Sequence, residues 1–323
     1  MSVPPPALRV FVLGATGTIG RATVAALLAR GHEVVCFVRP GAAPLPYPAS
    51  VRFGDVTDPA SLARDGFRGE PFDAVVSCLA SRTGAPLDAW AVDHRAHLHA
   101  LAAAQSAGVR QFVLLSAICV QRPKLAFQHA KLAFEQALTR SGLIYSIVRP
   151  TAYFKSLSGQ VNRLRAGKAF LLFGDGQLTA CKPISDGDLA RYLADCLDHP
   201  ALHNRILPIG GPGPAITPRQ QGEELFRLLD MPPKFRHVPV AMLDAIIAGL
   251  GGLGRLVPPL RAKAELARIG RYYATESMLV LNPVTGCYDA EATPSTGTET
   301  LFDHYARLVR GEVVDDRGAH AVF

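Results

Sequence analysis

Apolar residues along this chain gather in short unbroken runs, and the stretches between the runs carry apolar positions at helical spacing. The runs at residues 9–13, 34–38, 72–78, 111–115 and 145–149 are mostly apolar rather than strictly alternating, which predicts strands buried on both faces, and a shorter strand is read at Val51-Arg-Phe53. Helical patterns at residues 21–30 and 93–106, and another beginning near residue 127, fall between them. Strand and helix therefore alternate up to about residue 150, the arrangement of an open parallel sheet covered on both sides. A further run at 205–209 reads as a strand returning to the same sheet. The apolar stretch 238–269 reads as two helical pieces broken at Pro258-Pro259, and residues 303–305 belong to an amphipathic terminal helix.

The first strand breaks into Gly14-Ala-Thr16-Gly17-Thr18-Ile19-Gly20 before the first helix. Backbone N–H groups at a helix start attract anions, and glycines admit a pyrophosphate where a Cβ would clash. The expected fold is thus α/β: a Rossmann-type doubly wound parallel sheet, with a smaller carboxyl-terminal substrate-binding region. Residues 8–155 form the NADP-binding core and 156–323 the substrate region. The second strand ends on Arg39 with no acid beside it. A guanidinium there pairs with a ribose 2′-phosphate where a carboxylate would take the hydroxyl, so NADPH is the expected cofactor. Arg21 reads as a solvated first-turn residue, with a weaker second contact to that phosphate as the other reading. Asp55 either accepts from the adenine amino group or makes a turn. Ser81 and Ser116 follow the fourth and fifth strands, and Pro150 closes the sixth, where loops at the carboxyl ends face the ligand.

Composition narrows the partners. With 323 residues, 49% of them hydrophobic, the chain can bury a large core. Its formal net charge of +7 is dispersed rather than gathered into an arm, which argues against nucleic acid. Six cysteines without paired spacing read as reduced thiols, and Cys119 alone is placed near a ligand, with loop packing as the other reading. His94, His97 and His99 lack the spacing and neighbours of a metal site and read as surface residues; no metal is expected. No targeting segment precedes the first strand. The stretch 238–260 is too interrupted to span a bilayer, but it could lie on one, lid a pocket or join the core. A cytoplasmic protein with weak peripheral membrane contact is expected, its oligomeric state left open.

Short-chain reductases open the helix after strand five with Tyr-x-x-x-Lys, the lysine holding the nicotinamide ribose and the tyrosine passing a proton. Here the stretch reads Phe127-Gln-His-Ala-Lys131. Phenylalanine cannot donate to a carbonyl oxygen, so the acceptor must be of another kind. A carbon–carbon double bond conjugated to a large π-system fits, because the charge arriving with hydride spreads through it. Such chemistry needs fixed geometry more than a strong acid, with water, Lys131 or His129 supplying the proton.

Three stretches carry a resemblance: Phe127 to Glu135, Ile147 to Leu157 and, above all, Phe173-Gly-Asp-Gly-Gln-Leu-Thr-Ala-Cys-Lys182-Pro-Ile-Ser185. The chain resembles, over nearly its whole length, the divinyl chlorophyllide 8-vinyl reductases of the NADPH-dependent, atypical short-chain type. The resemblance implies reduction of the 8-vinyl group of a divinyl tetrapyrrole pigment in chlorophyll or bacteriochlorophyll synthesis, and a photosynthetic bacterium as source. Beside the missing tyrosine, Tyr153, Phe154 and Phe173 are then expected to lie along a flat macrocycle with Phe127. Lys155 and Lys182 are expected to meet a propionate carboxylate. Packing for Phe154 and a hairpin turn for 173–182 are the other readings. The rivals are an isoflavone-reductase-like enone or quinone reductase, and a non-catalytic NADP(H)-binding redox sensor or assembly factor.

Overall fold

The structure, a computed structural model, describes residues 6–254 and 257–313. Strands β1 (Arg9–Leu13), β2 (Glu33–Val38), β3 (Ser50–Phe53), β4 (Ala74–Ser77), β5 (Gln111–Leu115) and β6 (Ile144–Pro150) enter one parallel sheet. β7 (Phe170–Phe173) stays outside it, and β8 (Arg205–Ile209) returns beside β6, giving the order β3-β2-β1-β4-β5-β6-β8. The order reverses between β1 and β4, which share register from Val10↔Ala74 to Leu13↔Ser77. A crevice therefore opens at their carboxyl ends.

Both faces of the central strands are dry, as the unbroken apolar runs require, while the edge strand β3 exposes Val51 and Phe53. Val10, Val12, Val76 and Val113 point to one side and meet α1 (Thr18–Ala29). Phe11, Leu13, Val75 and Phe112 point to the other. There they meet α2 (His97–Ser106) and α3 (Ala126–Thr139), with Ala100, Ala104, Phe134 and Leu138 in the contact. Helix α4 (Asp186–Asp198) is capped by Ser185, whose hydroxyl accepts from the Asp188 N–H at 3.0 Å. It returns to the first face beside α1, where Arg30 bonds Asp195 at 2.5 Å and Asp198 at 2.8 Å. The 8–155 and 156–323 halves thus interleave at the sheet.

A second core joins the rest of the chain. Strand β7 pairs in parallel with β9 (Phe235–Val238). Around them pack α5 (Pro218–Leu228), capped by Thr217, and, through Leu225, Phe226, Tyr272 and Tyr305, α7 (Pro258–Thr275) and α8 (Leu301–Arg310). Between β9 and α7 lies α6 (Val240–Leu253), which has no buried residue and packs on α7. The expected helix break near the proline pair is present. Burial of this stretch in the core is not.

One expectation about the histidines is corrected. His97 is 1% exposed. A turn of wide, π-type helix at Trp90–Ala96 precedes α2, and its extra residue shifts the helical phase, so His97 faces the sheet instead of solvent. Its Nδ1 lies 2.8 Å from the Val92 carbonyl. A carbonyl only accepts, so Nδ1 carries the proton, and Nε2 accepts from the Ser77 hydroxyl at 2.9 Å. Burial and the nearby Lys131 charge push this imidazole down to about 4. The folded state therefore prefers neutral His97, a stabilisation fully present above the unfolded value near 6.5 and lost as pH falls toward 4. Urea titrations are expected to show about 1.5 kcal/mol less stability at pH 5 than at pH 6.5 from this group, one pKa unit being worth about 1.4 kcal/mol. His97→Gln should flatten that slope; an unchanged slope in the variant would remove His97 as its source.

Candidate functional site

The carboxyl ends of β1, β2 and β4 open into a cleft of 1030 Å³, ample for a dinucleotide. Its floor is the glycine turn. Gly14 has φ +74°, and a Cβ there would stand 2.5 Å from the Cys78 carbonyl carbon. A Cβ on Gly20 would stand 2.0 Å from the Gly14 oxygen. Gly17 caps α1 without any side-chain hydrogen bond to the first turn, which leaves the helix start to an anion. Thr16 and Thr18 line the cleft beside it, while Ile19 and Gly20 are buried behind and set the helix against the sheet. Arg21 also lines the cleft and donates from Nε to the Thr16 carbonyl at 3.1 Å, so it braces the turn rather than standing in solvent.

At one end of the cleft Arg39 is exposed beside Asp55. Asp55 accepts from the Thr57 hydroxyl at 2.7 Å and N–H at 2.8 Å, which holds its carboxyl below the usual range with help from the Arg39 charge. The turn role is thus present, and the exposed carboxylate still borders the cleft. In the middle, Lys155 Nζ donates to the Thr18 hydroxyl at 2.8 Å. The side chain runs back from the exit of β6 and places an ammonium at the helix start. Asp186, at the start of α4, borders the same space. Burial pushes its carboxyl up, and the Lys155 charge pulls it down.

Behind the wall formed by residues 78–82, a buried carboxylate joins two other expected residues. Asp93 Oδ1 accepts from the Ser81 N–H at 3.2 Å and pairs with Lys131 Nζ at 3.0 Å. Its Oδ2 has no partner. Lys131 is thus nearly buried and aimed by a fixed anion. Asp93 was absent from the expected site; its only signal was an acid in a helix otherwise rich in alanine. Phe127 lies one turn before Lys131, half-buried against the Gly84 turn.

Other expected residues are engaged elsewhere. Ser116 donates to Glu135 at 2.5 Å, and Glu135 is held in turn by Arg149; a carboxylate 3% exposed needs these donors. That takes the Ser116 hydroxyl out of the cleft. Pro150 is buried at the end of β6. Phe154 is buried yet borders the cleft, its ring 5.3 Å from that of His304. Tyr153 is half-buried, its hydroxyl pushed up by burial near Cys78 and Cys119. Phe173 ends β7 opposite Val238, and Lys182 donates to the Thr293 carbonyl at 3.1 Å. Neither residue at the ends of the 173–182 stretch lines this cleft. Among the described residues no cluster of three metal-binding side chains is present.

Residues 14–200 match the family model described as NAD(P)H-binding. The chain is 49% identical to the chloroplastic divinyl chlorophyllide a 8-vinyl-reductase of Zea mays, across 100% of this chain and 84% of that one. A photosystem II assembly factor, Ycf39 of Synechocystis, is 31% identical over 63% of each chain. Among solved structures, an Escherichia coli NADPH-dependent quinone oxidoreductase complexed with NADPH superposes with a TM-score of 0.67 at 19% identity, covering 93% of this chain and 99% of that one. At that identity the likeness shows the fold.

The exposed Arg39 generates a test of nucleotide choice. Arg39→Asp should weaken NADPH binding about tenfold to a hundredfold, the loss of a charge-assisted bond worth roughly 1.5 to 3 kcal/mol, and leave NADH binding equal or improved. Fluorescence titration with both nucleotides checks it. Equal affinity of the unaltered protein for the two would remove Arg39 from phosphate recognition.

Proposed function

The chain belongs to the divinyl chlorophyllide a 8-vinyl-reductase family, and from that premise we infer that it reduces the 8-vinyl group of a divinyl chlorophyllide or protochlorophyllide to ethyl with NADPH. The full-length likeness carries the reading. The loss of the phenol at Phe127 with Lys131 kept agrees with it, since a conjugated vinyl acceptor does not ask for the proton donor of a ketone reductase.

Bound NADPH supplies the hydride. The residues around it bind and orient. The glycine turn and Lys155 would hold the diphosphate, and Arg39 the 2′-phosphate. Lys131, fixed by Asp93, would hold the nicotinamide ribose; the same carboxylate anchors the Ser81 loop, so the two walls of the nicotinamide end share one support. Positioning is what such a reaction gains most from.

Mixing the protein with NADPH and divinyl protochlorophyllide should shift the Soret band slightly to the blue as NADPH absorbance falls. No change with any divinyl tetrapyrrole would overturn the reading. Lys131→Met alone would strand a buried carboxylate, so the informative variant is Lys131→Met with Asp93→Asn. Its turnover should fall on the order of tenfold or more with cofactor saturating. Unchanged single-turnover hydride transfer would make Lys131 a structural residue.

The finer part of the proposal is a place of work at an anionic membrane face. Helix α6 is apolar, with Met242 47% and Ile246 40% exposed, and its one charged residue, Asp244, is paired with Arg271. Among the described residues no helix is long and apolar enough to cross a membrane, but an apolar helix on a basic protein suits contact with a bilayer surface. Flotation with anionic liposomes should carry part of the protein upward at low salt and less at high salt. Absence of flotation, with or without pigment, would leave α6 as a wall of the pigment pocket.

A further inference from the structure

The hydroxyl that Phe127 lacks has a counterpart on another helix. Ile269 Cδ1 lies 3.0 Å and Phe127 Cδ1 3.5 Å from the point where a Cβ on Gly84 would stand, so α7 packs onto Phe127. Tyr273 follows Ile269 by four residues, about one turn along the same helix face. Its hydroxyl lies 3.9 Å from Cys119 Sγ. Cys119 stands just beyond β5 and Tyr153 just beyond β6, close enough to influence the Tyr273 hydroxyl. These are the strand ends over which a nicotinamide would lie. The neighbouring Tyr272 fixes the arrangement: its hydroxyl, 3% of the residue being exposed, is shared between the Cys119 carbonyl at 2.8 Å and that of Arg122 at 3.1 Å. Tyr273 is 38% exposed as a residue, while its hydroxyl end is buried against Cys119.

We propose that Tyr273 is the proton donor of the reduction, a phenol brought by α7 to the place where Phe127 offers none. The inference rests on the vinyl-reductase reading. The hydride with its electron pair forms a C–H bond to one vinyl carbon. The π pair, spread into the macrocycle, takes the proton from Tyr273 Oη and forms the second C–H bond as the O–H bond breaks. The phenolate is reprotonated from solvent when the product leaves, so one NADPH and one proton are consumed and NADP⁺ is released. Burial, and then Cys119, hold the Tyr273 hydroxyl well above the usual phenol value. It therefore keeps its proton at neutral pH and yields it only to a strong base such as the hydride adduct.

The test compares the unaltered protein, Tyr273→Phe, and Tyr273→Phe with Phe127→Tyr. Removal of the phenol should lower kcat about a hundredfold or more, leave NADPH affinity and Tm close to the original, and raise the solvent deuterium isotope effect as water becomes the donor. A phenol restored at position 127, against the same helix, should recover part of the rate. A kcat within about twofold of the original with an unchanged isotope effect would overturn the proposal. So would a loss that falls equally on NADPH affinity and is not relieved at position 127, which marks Tyr273 as packing. If the unaltered protein reduces no divinyl tetrapyrrole, the function reading fails and the inference with it; normal reduction with a fully active Tyr273→Phe overturns the inference alone.

Discussion

Three segments meet at one point where no side chain has room. A Cβ at Gly14 would collide with the backbone of Cys78, and one at Gly20 with the Gly14 carbonyl 2.0 Å away. The exit of β1, the first turn of α1 and the exit of β4 therefore approach to backbone contact. This closeness sets α1 against the sheet with its first turn open to the cleft, and it fixes where the strand order reverses. It also sets the floor across which Lys155 reaches Thr18. Larger residues would separate helix from sheet and remove the anion site and the packing of the first core together.

The second constraint is how few buried charges the structure carries near the site and how each is used. Burial of a charge costs more than its pairing returns, so such pairs are better explained by geometry than by stability. Asp93 holds Lys131 and the Ser81 backbone at once. Glu135 occupies Ser116 and Arg149. The exit of β5 thus has its serine committed to the fold and a phenylalanine where reductases of simple ketones have a phenol. What remains there for chemistry is an aimed lysine and the groups brought by other elements, which suits an acceptor able to spread charge.

The seven-stranded sheet was legible because strands buried on both faces are written as unbroken apolar runs. Helix caps such as Ser185 and Thr217 are written in residue types that make local bonds. The glycine turn was legible for the same reason: its chemistry is local. Strands β7 and β9 were not, since each has four residues and finds its partner far along the chain. The contact of Lys155 with Thr18 was not legible, because the sequence gives the direction in which the backbone leaves β6 and not the path of a long side chain back across it. The stretch from Phe173 to Lys182 is distinctive, but Cys181 within it bridges Ile216 and Met278, so at least part of its character belongs to the joint between segments distant in sequence. His97 escaped because one wide helical turn rotates every later position, and periodicity read at constant spacing cannot register it.

Helix α7 connects these threads. Along one side it carries α6, whose outer apolar face, with Met242 and Ile246, is exposed. On another face Ile269 meets the Gly84 turn beside Phe127, and near its end Tyr272 is bonded to the β5 loop. A helix of 18 residues held at that end is a stiff element. A displacement imposed on α6 by a membrane or a pigment would therefore be transmitted along α7 to the Phe127 region instead of being absorbed in a loop. Under the vinyl-reductase reading, the surface that receives an apolar substrate and the groups that act on it are set by a single helix. The second core must then be packed as firmly as the sheet, and its buried Phe226, Tyr272 and Tyr305 meet that requirement.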